Sequence, residues 1–461
     1  MEIKLTKIPQ PKPDHSRTPV LLTEETMKGR LAKILQRMKQ QQIDTLIIYG
    51  DLEHGSNLEY LIGFVPRFEE AVLVLHQDAT AYLLLGNENL NKAKFARMEV
   101  QAVHVPFFSL PNQPMEQEKN LADLFQDCGI IKGKTVGIVG WKLFTSNLYE
   151  NHQLFDIPHY VLEAIRKVAD QECLRNATNL FIAPEDGARI TNTANELAHY
   201  EFGASLAADC MLEALNQVAV GSDEMMLASH LHGLGQRHSV VTIAGVGERF
   251  EHANLYPREK TVQVGEKLAL TVGYKGGLSS RSGYCVEHEE QLPATVRDYL
   301  EVLCNPYFKA IATWLEEIHC GMTGGELYAR IEKVLPKEQY HWSLCPGHLV
   351  ADEEWLSSPI YEGSSALLKS GMLLQTDIIP HIQGYGGVSV ESTIALANQS
   401  LKQEIQEQYP DLWQRMEQRR TYVCEVLGIK LHEDVLLLGS IVGYLRPFML
   451  AHDKALVVKR A

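Results

Sequence analysis

The chain has 461 residues, 45% of them hydrophobic and 22% charged. This is too long for one compact domain by ordinary size scaling, and the composition is that of a globular protein rather than a disordered one. With 43 basic residues against 58 acidic ones the formal charge is −15, which argues against nucleic-acid and anionic-membrane partners, since both rely on basic surface, and favours a small-molecule or short-peptide ligand.

Residues 1–21 hold four prolines and read as an extended N-terminal arm, with packing expected to begin at Leu21. The arm has no apolar stretch of signal-peptide type and no window reaches the length of a membrane span, so a cytoplasmic protein is expected. From Thr23 to Gln41 the apolar positions Met27, Leu31, Ile34, Leu35 and Met38 recur at helical spacing. Strand patterns follow at Thr45–Tyr49, Ala71–Leu75 and Ala81–Leu85, then a charged helix near Asn87–Arg97 and short strands at Val103–Val105 and Thr135–Val139. The alternation defines an α/β layered domain over 22–190, ending in a polar stretch broken by Pro184, Asp186 and Gly187.

A second domain spans 191–461. Thr193-Ala-Asn-Glu196 is a capping box opening a long helix to Gln217, and a further helix is expected at Ser222–Leu234. Strands are expected at Val240–Ala244, Lys267–Val272 and Gly283–Val286, helices at Ala294–Glu317 and Gly325–Leu335, and strands again at Met372–Ile379 and Gly387–Ala397. Helices flanking a mostly antiparallel sheet make this an α+β domain. The eight cysteines form no CxxC or other framework and read as reduced thiols.

The stretch from Leu368 to Thr393 carries the chemistry. It sets Asp377 and Glu391 on two apolar, strand-like runs joined by a Gly-rich turn, so the two carboxylates face each other across a hairpin and can share a metal ion or a proton. A buried carboxylate without a partner is costly, so each must be paired, metal-bound or protonated. His348, in the segment LCPGHLVADEEW, adds an imidazole, and the three side chains suit one borderline divalent ion with open positions. The structural alternative is that they only hydrogen-bond one another.

Several landmarks in order resemble one family. Asn57-Leu-Glu-Tyr-Leu-Ile-Gly-Phe64 and the strand after it resemble the N-terminal domain of creatinase, prolidase and aminopeptidase P. Asn195-Glu-Leu-Ala198, the segment from Gly247 through His252 to Pro257, Gly321-Met-Thr-Gly-Gly-Glu-Leu327, Gly347-His348 and Gly386-Gly-Val-Ser-Val-Glu391 are similar to the pita-bread domain of the same M24 family. The resemblance implies a creatinase-type N-terminal domain, a pita-bread C-terminal domain and a homodimer in which one subunit's N-terminal domain caps the other's cleft.

It also implies a site with parts removed. The family's metallopeptidases hold two metal ions on two aspartates, a histidine and two glutamates. The last three map onto His348, Asp377 and Glu391, with aspartate replacing the first glutamate. The two aspartates are absent: Thr271-Val-Gly273 and Gly277-Leu-Ser-Ser-Arg281 stand in their places, and the loop between is short. A dinuclear centre is therefore not expected, and at most one ion (Mn, Zn or Fe) on His348, Asp377 and Glu391. A second family histidine, which binds substrate, would fall near Trp355, making Trp355 a candidate substrate contact. His252 stands where creatinase keeps its acid/base. The creatinase glutamate on this sheet maps onto Ser280. Arg281 either pairs with Glu391 or holds a substrate carboxylate.

Two functions fit. The first is a hydrolase acting on a C–N bond of a small amide, guanidino or dipeptide-like compound, with His252 as proton donor and acceptor and His348, Asp377 and Glu391 orienting water, substrate or a single ion. The second is a catalytically silent protein of the fold that binds a peptide or metabolite.

Overall fold

The computed structural model describes residues 1–14, 16–248 and 256–460. The chain divides into two compact units, Leu22–Ile190 and a second unit made of Met1–Leu21 together with Thr191–Ala461.

In the first unit, Thr23 accepts a hydrogen bond from the Thr26 amide and caps the helix Glu24–Gln40, which buries Met27, Ile34 and Met38. A six-stranded mixed sheet runs in the order Gln101–His104, Ala81–Leu85, Ala71–His76, Thr45–Gly50, Val136–Val139 and Leu174–Asn176. Thr45–Gly50 lies inside it, parallel to Val136–Val139 and antiparallel to Ala71–His76, and every residue of it is buried. A continuous apolar run is what a strand covered on both faces requires. The charged segment expected as a helix at Asn87–Arg97 forms only a 3₁₀ turn, Leu90–Phe95, with no buried residue. It has no apolar stripe to hold a longer helix in place.

In the second unit the capping box forms as read: the Thr193 side chain accepts from the Glu196 amide and the Glu196 carboxylate accepts from the Thr193 amide. The helix it opens, Ala194–Asn216, is buried almost all round. Beside it lies a four-stranded sheet in the order Ser389–Glu391, Gly277–Tyr284, Lys267–Tyr274 and Ile243–Val246. Lys267–Tyr274 and Gly277–Tyr284 join through the two-residue turn Lys275-Gly276. Gly276 has φ +96°, and a Cβ there would sit 2.2 Å from the Tyr200 carbonyl oxygen, so only glycine fits. A second four-stranded sheet runs His348–Leu349, Leu373–Gln375, Thr393–Leu396 and Val435–Leu437.

Three expectations are corrected here. The helix at Ser222–Leu234 is only Glu224–Ser229. The strand placed at Gly283–Val286 is Gly277–Tyr284, since the tight turn brings the strand in earlier. The region Ala294–Glu317 holds a 3₁₀ turn and a π turn before the α-helix Asn305–Glu317 begins, with Pro306 in its first turn.

The arm also packs. Glu2–Lys7 pairs antiparallel with Lys454–Lys459 along its whole length. Asp14 is buried, its amide donating to Asp209 Oδ2 at 2.9 Å. Arg419 bridges Asp14 (2.8 Å) and Glu201, Arg415 reaches Glu201 at 2.8 Å, and Arg17 meets Asp209. The arm is thus tied to the helices Ala194–Asn216 and Pro410–Thr421.

Candidate functional site

The two four-stranded sheets of the second unit meet at Ser392, where the chain leaves the strand Ser389–Glu391 and enters Thr393–Leu396. The hairpin partner of this segment is Leu373–Gln375, paired with residues 393–395, and the ladder continues as the Thr376 amide donates to the Ser392 carbonyl at 3.0 Å. One step further, Asp377 lies opposite Glu391, close enough that each carboxyl group shifts the other's pKa. His348 arrives from the next strand, where it pairs with Gln375.

The structure brings His348, Asp377 and Glu391 together. His348 is fully buried, its Nδ1 bonded to the Leu349 carbonyl at 3.1 Å and its Nε2 3.8 Å from Asp377 Oδ2. Among the described residues, neither His348 Nε2 nor Asp377 Oδ1 has a hydrogen-bond partner. Burial pushes the imidazole pKa down to about 4 against the weaker opposing effect of the Leu349 carbonyl, so His348 is neutral at pH 7. Burial lifts Asp377 to about 6, partly offset by its bond to Glu391. Glu391 is raised well above the ordinary carboxylate range, by burial first and then by the charge of Asp377. Both members of the pair therefore keep their protons to higher pH than ordinary carboxyl groups do.

Glu354 joins this cluster and was not foreseen. Its Oε1 is 3.6 Å from His348 Nε2, and burial followed by the charge of Asp377 raises it to about 7. In sequence it ends the acidic run Asp352-Glu-Glu354. The signal was its closeness to His348 on a segment that folds back: Leu349 bridges Ser357, and the Ala351 amide bonds the Glu353 carbonyl. The same reversal lays Trp355 on the imidazole, with ring centroids 4.1 Å apart and 20° between planes.

Across the neighbouring sheet, Ser280 pairs with both Thr271 and Glu391, forming a row Thr271, Ser280, Glu391. The Thr271 and Ser280 hydroxyls bond each other at 2.9 Å. Neutral hydroxyls thus stand beside Glu391 where the resemblance implies anionic ligands. Among the described residues, no group of three or more His, Cys, Asp or Glu side chains is arranged to hold a metal ion. A pair of divalent ions needs several anionic ligands to offset its charge, so these residues do not fit one.

The substrate role for Arg281 is corrected. Arg281 is 1% exposed, and its guanidinium donates to the carbonyls of Tyr444, Ser280, Glu391 and Ile441 and to the Ser392 hydroxyl. Its donors are committed to fastening the pivot between the sheets, leaving none for a substrate carboxylate. His252, the sequence candidate for acid/base, lies outside the described residues.

Comparison with known proteins agrees with this architecture. Residues 30–168 match the creatinase/prolidase N-terminal domain. The fold is similar to that of a prolidase from Thermococcus sibiricus (TM-score 0.62, 16% identity, 81% of this chain and 95% of that one). It is similar also to a prolidase from Pyrococcus furiosus (0.60, 17%, 79% and 96%) and an X-Pro aminopeptidase from Thermotoga maritima (0.56, 15%, 80% and 95%). No curated protein sequence matches the chain. The chain therefore has the two-domain M24 architecture with a pita-bread second domain. Its first domain is a creatinase/prolidase N-terminal domain. Among the described residues no helix is long and apolar enough to cross a membrane.

Proposed function

We propose that the chain is an M24-like hydrolase acting on a C–N bond of a small amide, guanidino or dipeptide-like substrate without a dinuclear metal centre. The observation that carries this reading is the placing of Asp377 opposite Glu391 beside His348, both carboxyl groups raised by burial, with His348 Nε2 and Asp377 Oδ1 unpartnered among the described residues. Such a pair has one member able to accept a proton and one able to give it, the requirement of general acid–base chemistry. In this reading Asp377 accepts a proton from water, Glu391 supplies one to the leaving nitrogen, and His348 orients the reacting group. His252 remains the sequence candidate for a further proton carrier. A homodimer, expected from the resemblance, belongs to the same proposal, and a monomer at micromolar concentration in scattering would contradict it.

The test is turnover of a panel of guanidino, amide and dipeptide compounds by the purified protein. The reading predicts that Xaa-Pro dipeptides and N-terminal Xaa-Pro peptides are cleaved poorly even with added manganese or cobalt, while one guanidino or amide compound is turned over and Asp377→Asn abolishes it. Efficient Xaa-Pro cleavage lost in His348→Ala would contradict the proposal. The second reading is a silent ligand-binding protein, favoured by the neutral Thr271 and Ser280 row. No turnover across the panel, with a ligand still bound, would select it.

A further inference from the structure

Acceptors converge around His348 with no donor among the described residues to meet them. Because Nδ1 is turned to the Leu349 carbonyl, the Nε2 lone pair faces Glu354 Oε1 at 3.6 Å and Asp377 Oδ2 at 3.8 Å, both beyond hydrogen-bond reach. His348 Nε2 and Asp377 Oδ1 are buried without partners. Nearby cations are engaged elsewhere: Arg281 with carbonyls, Lys275 with Asp352 at 3.5 Å. A buried acceptor that finds no donor in the protein calls for one from a ligand.

The rim of the cluster carries a second feature. Trp355 stacks on His348 yet is 38% exposed, and it follows Glu354, whose side chain is 27% exposed, directly in the chain. An aromatic ring and a carboxylate adjacent in the chain are thus both partly exposed while each contacts His348. A ring attracts cations over its face, while carboxylates and an imidazole lone pair take N–H donors.

We propose that His348, Glu354, Asp377 and Trp355 form a binding site for the cationic nitrogen group of an organic ligand, an ammonium or a guanidinium, with Glu354 and Trp355 as the residues that select it. This deepens the hydrolase reading and rests on it for the identity of the site. A neutral amide would supply a donor but leave the carboxylates without a counter-charge. A divalent ion would require several donors at one metal distance, and no such group occurs among the described residues.

The experiment is calorimetric titration of the full chain with methylguanidinium, methylammonium, acetamide, and manganese or zinc chloride alone. One of the two organic cations should bind saturably and acetamide should not. Glu354→Gln and Trp355→Leu should each weaken that binding by about tenfold or more, while Trp355→Phe restores it to within about threefold. Should Glu354→Gln fail to fold, the Trp355→Leu and Trp355→Phe pair carries the test, since a purely structural tryptophan would not discriminate cation from amide. Manganese or zinc binding with both organic cations inert would overturn the inference, as would cation binding unchanged in both Glu354→Gln and Trp355→Leu. Turnover of a C–N compound without cation binding would refute this inference alone. Cation binding without turnover of any compound would support it and refute the hydrolase reading alone.

Discussion

Two groups of buried carboxylates lie in the same unit and are neutralised in opposite ways. Glu201 has two arginines on it, and although burial pushes its pKa up, Arg419 and Arg415 hold it below the ordinary range. Asp14 has the shared Arg419 beside it, and there burial wins, leaving it raised. Asp377, Glu391 and Glu354 have no guanidinium or ammonium bonded to their side chains in these contacts, and all three are raised. Cations close the first group into a structural clasp, whereas the second has no such cation on its side chains and its carboxyl groups are raised by burial. Burial alone does not tell a functional carboxylate from a structural one; the identity of its counter-charge does.

The largest expected effect comes from breaking the clasp. Arg419→Leu leaves Asp14 and Glu201 buried with one cation removed and should cost about 3–5 kcal/mol in denaturant unfolding of the second unit. A loss under about 1 kcal/mol would mean that water already reaches these carboxylates.

The pH dependence separates the two groups by sign. Glu201, lowered in the folded state, contributes stability that is present above the ordinary Glu range and is lost as pH falls through its folded pKa. Asp377, Glu391 and Glu354 are raised, so the native state binds more protons than the unfolded chain and their contribution falls as pH rises from about 4 to about 7. His348, lowered to about 4, opposes them between there and its ordinary value near 6.5, one group against three. Stability measured across this window should therefore decline less steeply with pH in Asp377→Asn/Glu391→Gln than in the wild type. An unchanged slope would break the comparison.

The smallest effect on stability is expected from Glu391→Gln. An amide replaces a carboxyl whose proton burial holds well above the ordinary range, so unfolding should shift by no more than about 1 kcal/mol, while turnover is impaired. A loss as large as that of Arg419→Leu would place Glu391 among the structural carboxylates.

What the sequence could convey follows the reach of each signal. Local signals were readable: the helical stripe of Met27, Ile34 and Met38, the Thr193 and Glu196 capping box, and the apolar strands whose hairpin sets Asp377 against Glu391. His348 came from its segment and the family resemblance. Signals whose meaning depends on distant partners were not readable. Ile3 and Leu5 alternate as a strand should, yet the strand they join, Lys454–Lys459, lies at the other end of the chain. Arg281 carries the same charge whether it binds a substrate or four carbonyls, and only the pivot at Ser392 decides. Glu354 was not singled out in the sequence, because only a chain reversal puts it against His348.

Infrared spectroscopy at pH 7 tests the central claim most directly, because a protonated carboxyl group has a carbonyl stretch that a carboxylate lacks. The account predicts that in the wild-type protein such a band persists above the pH range in which ordinary carboxyl groups ionise, and that Glu391→Gln removes this persistent part. A spectrum with every carboxyl group ionised at pH 7, and no difference between wild type and Glu391→Gln in that region, would contradict it.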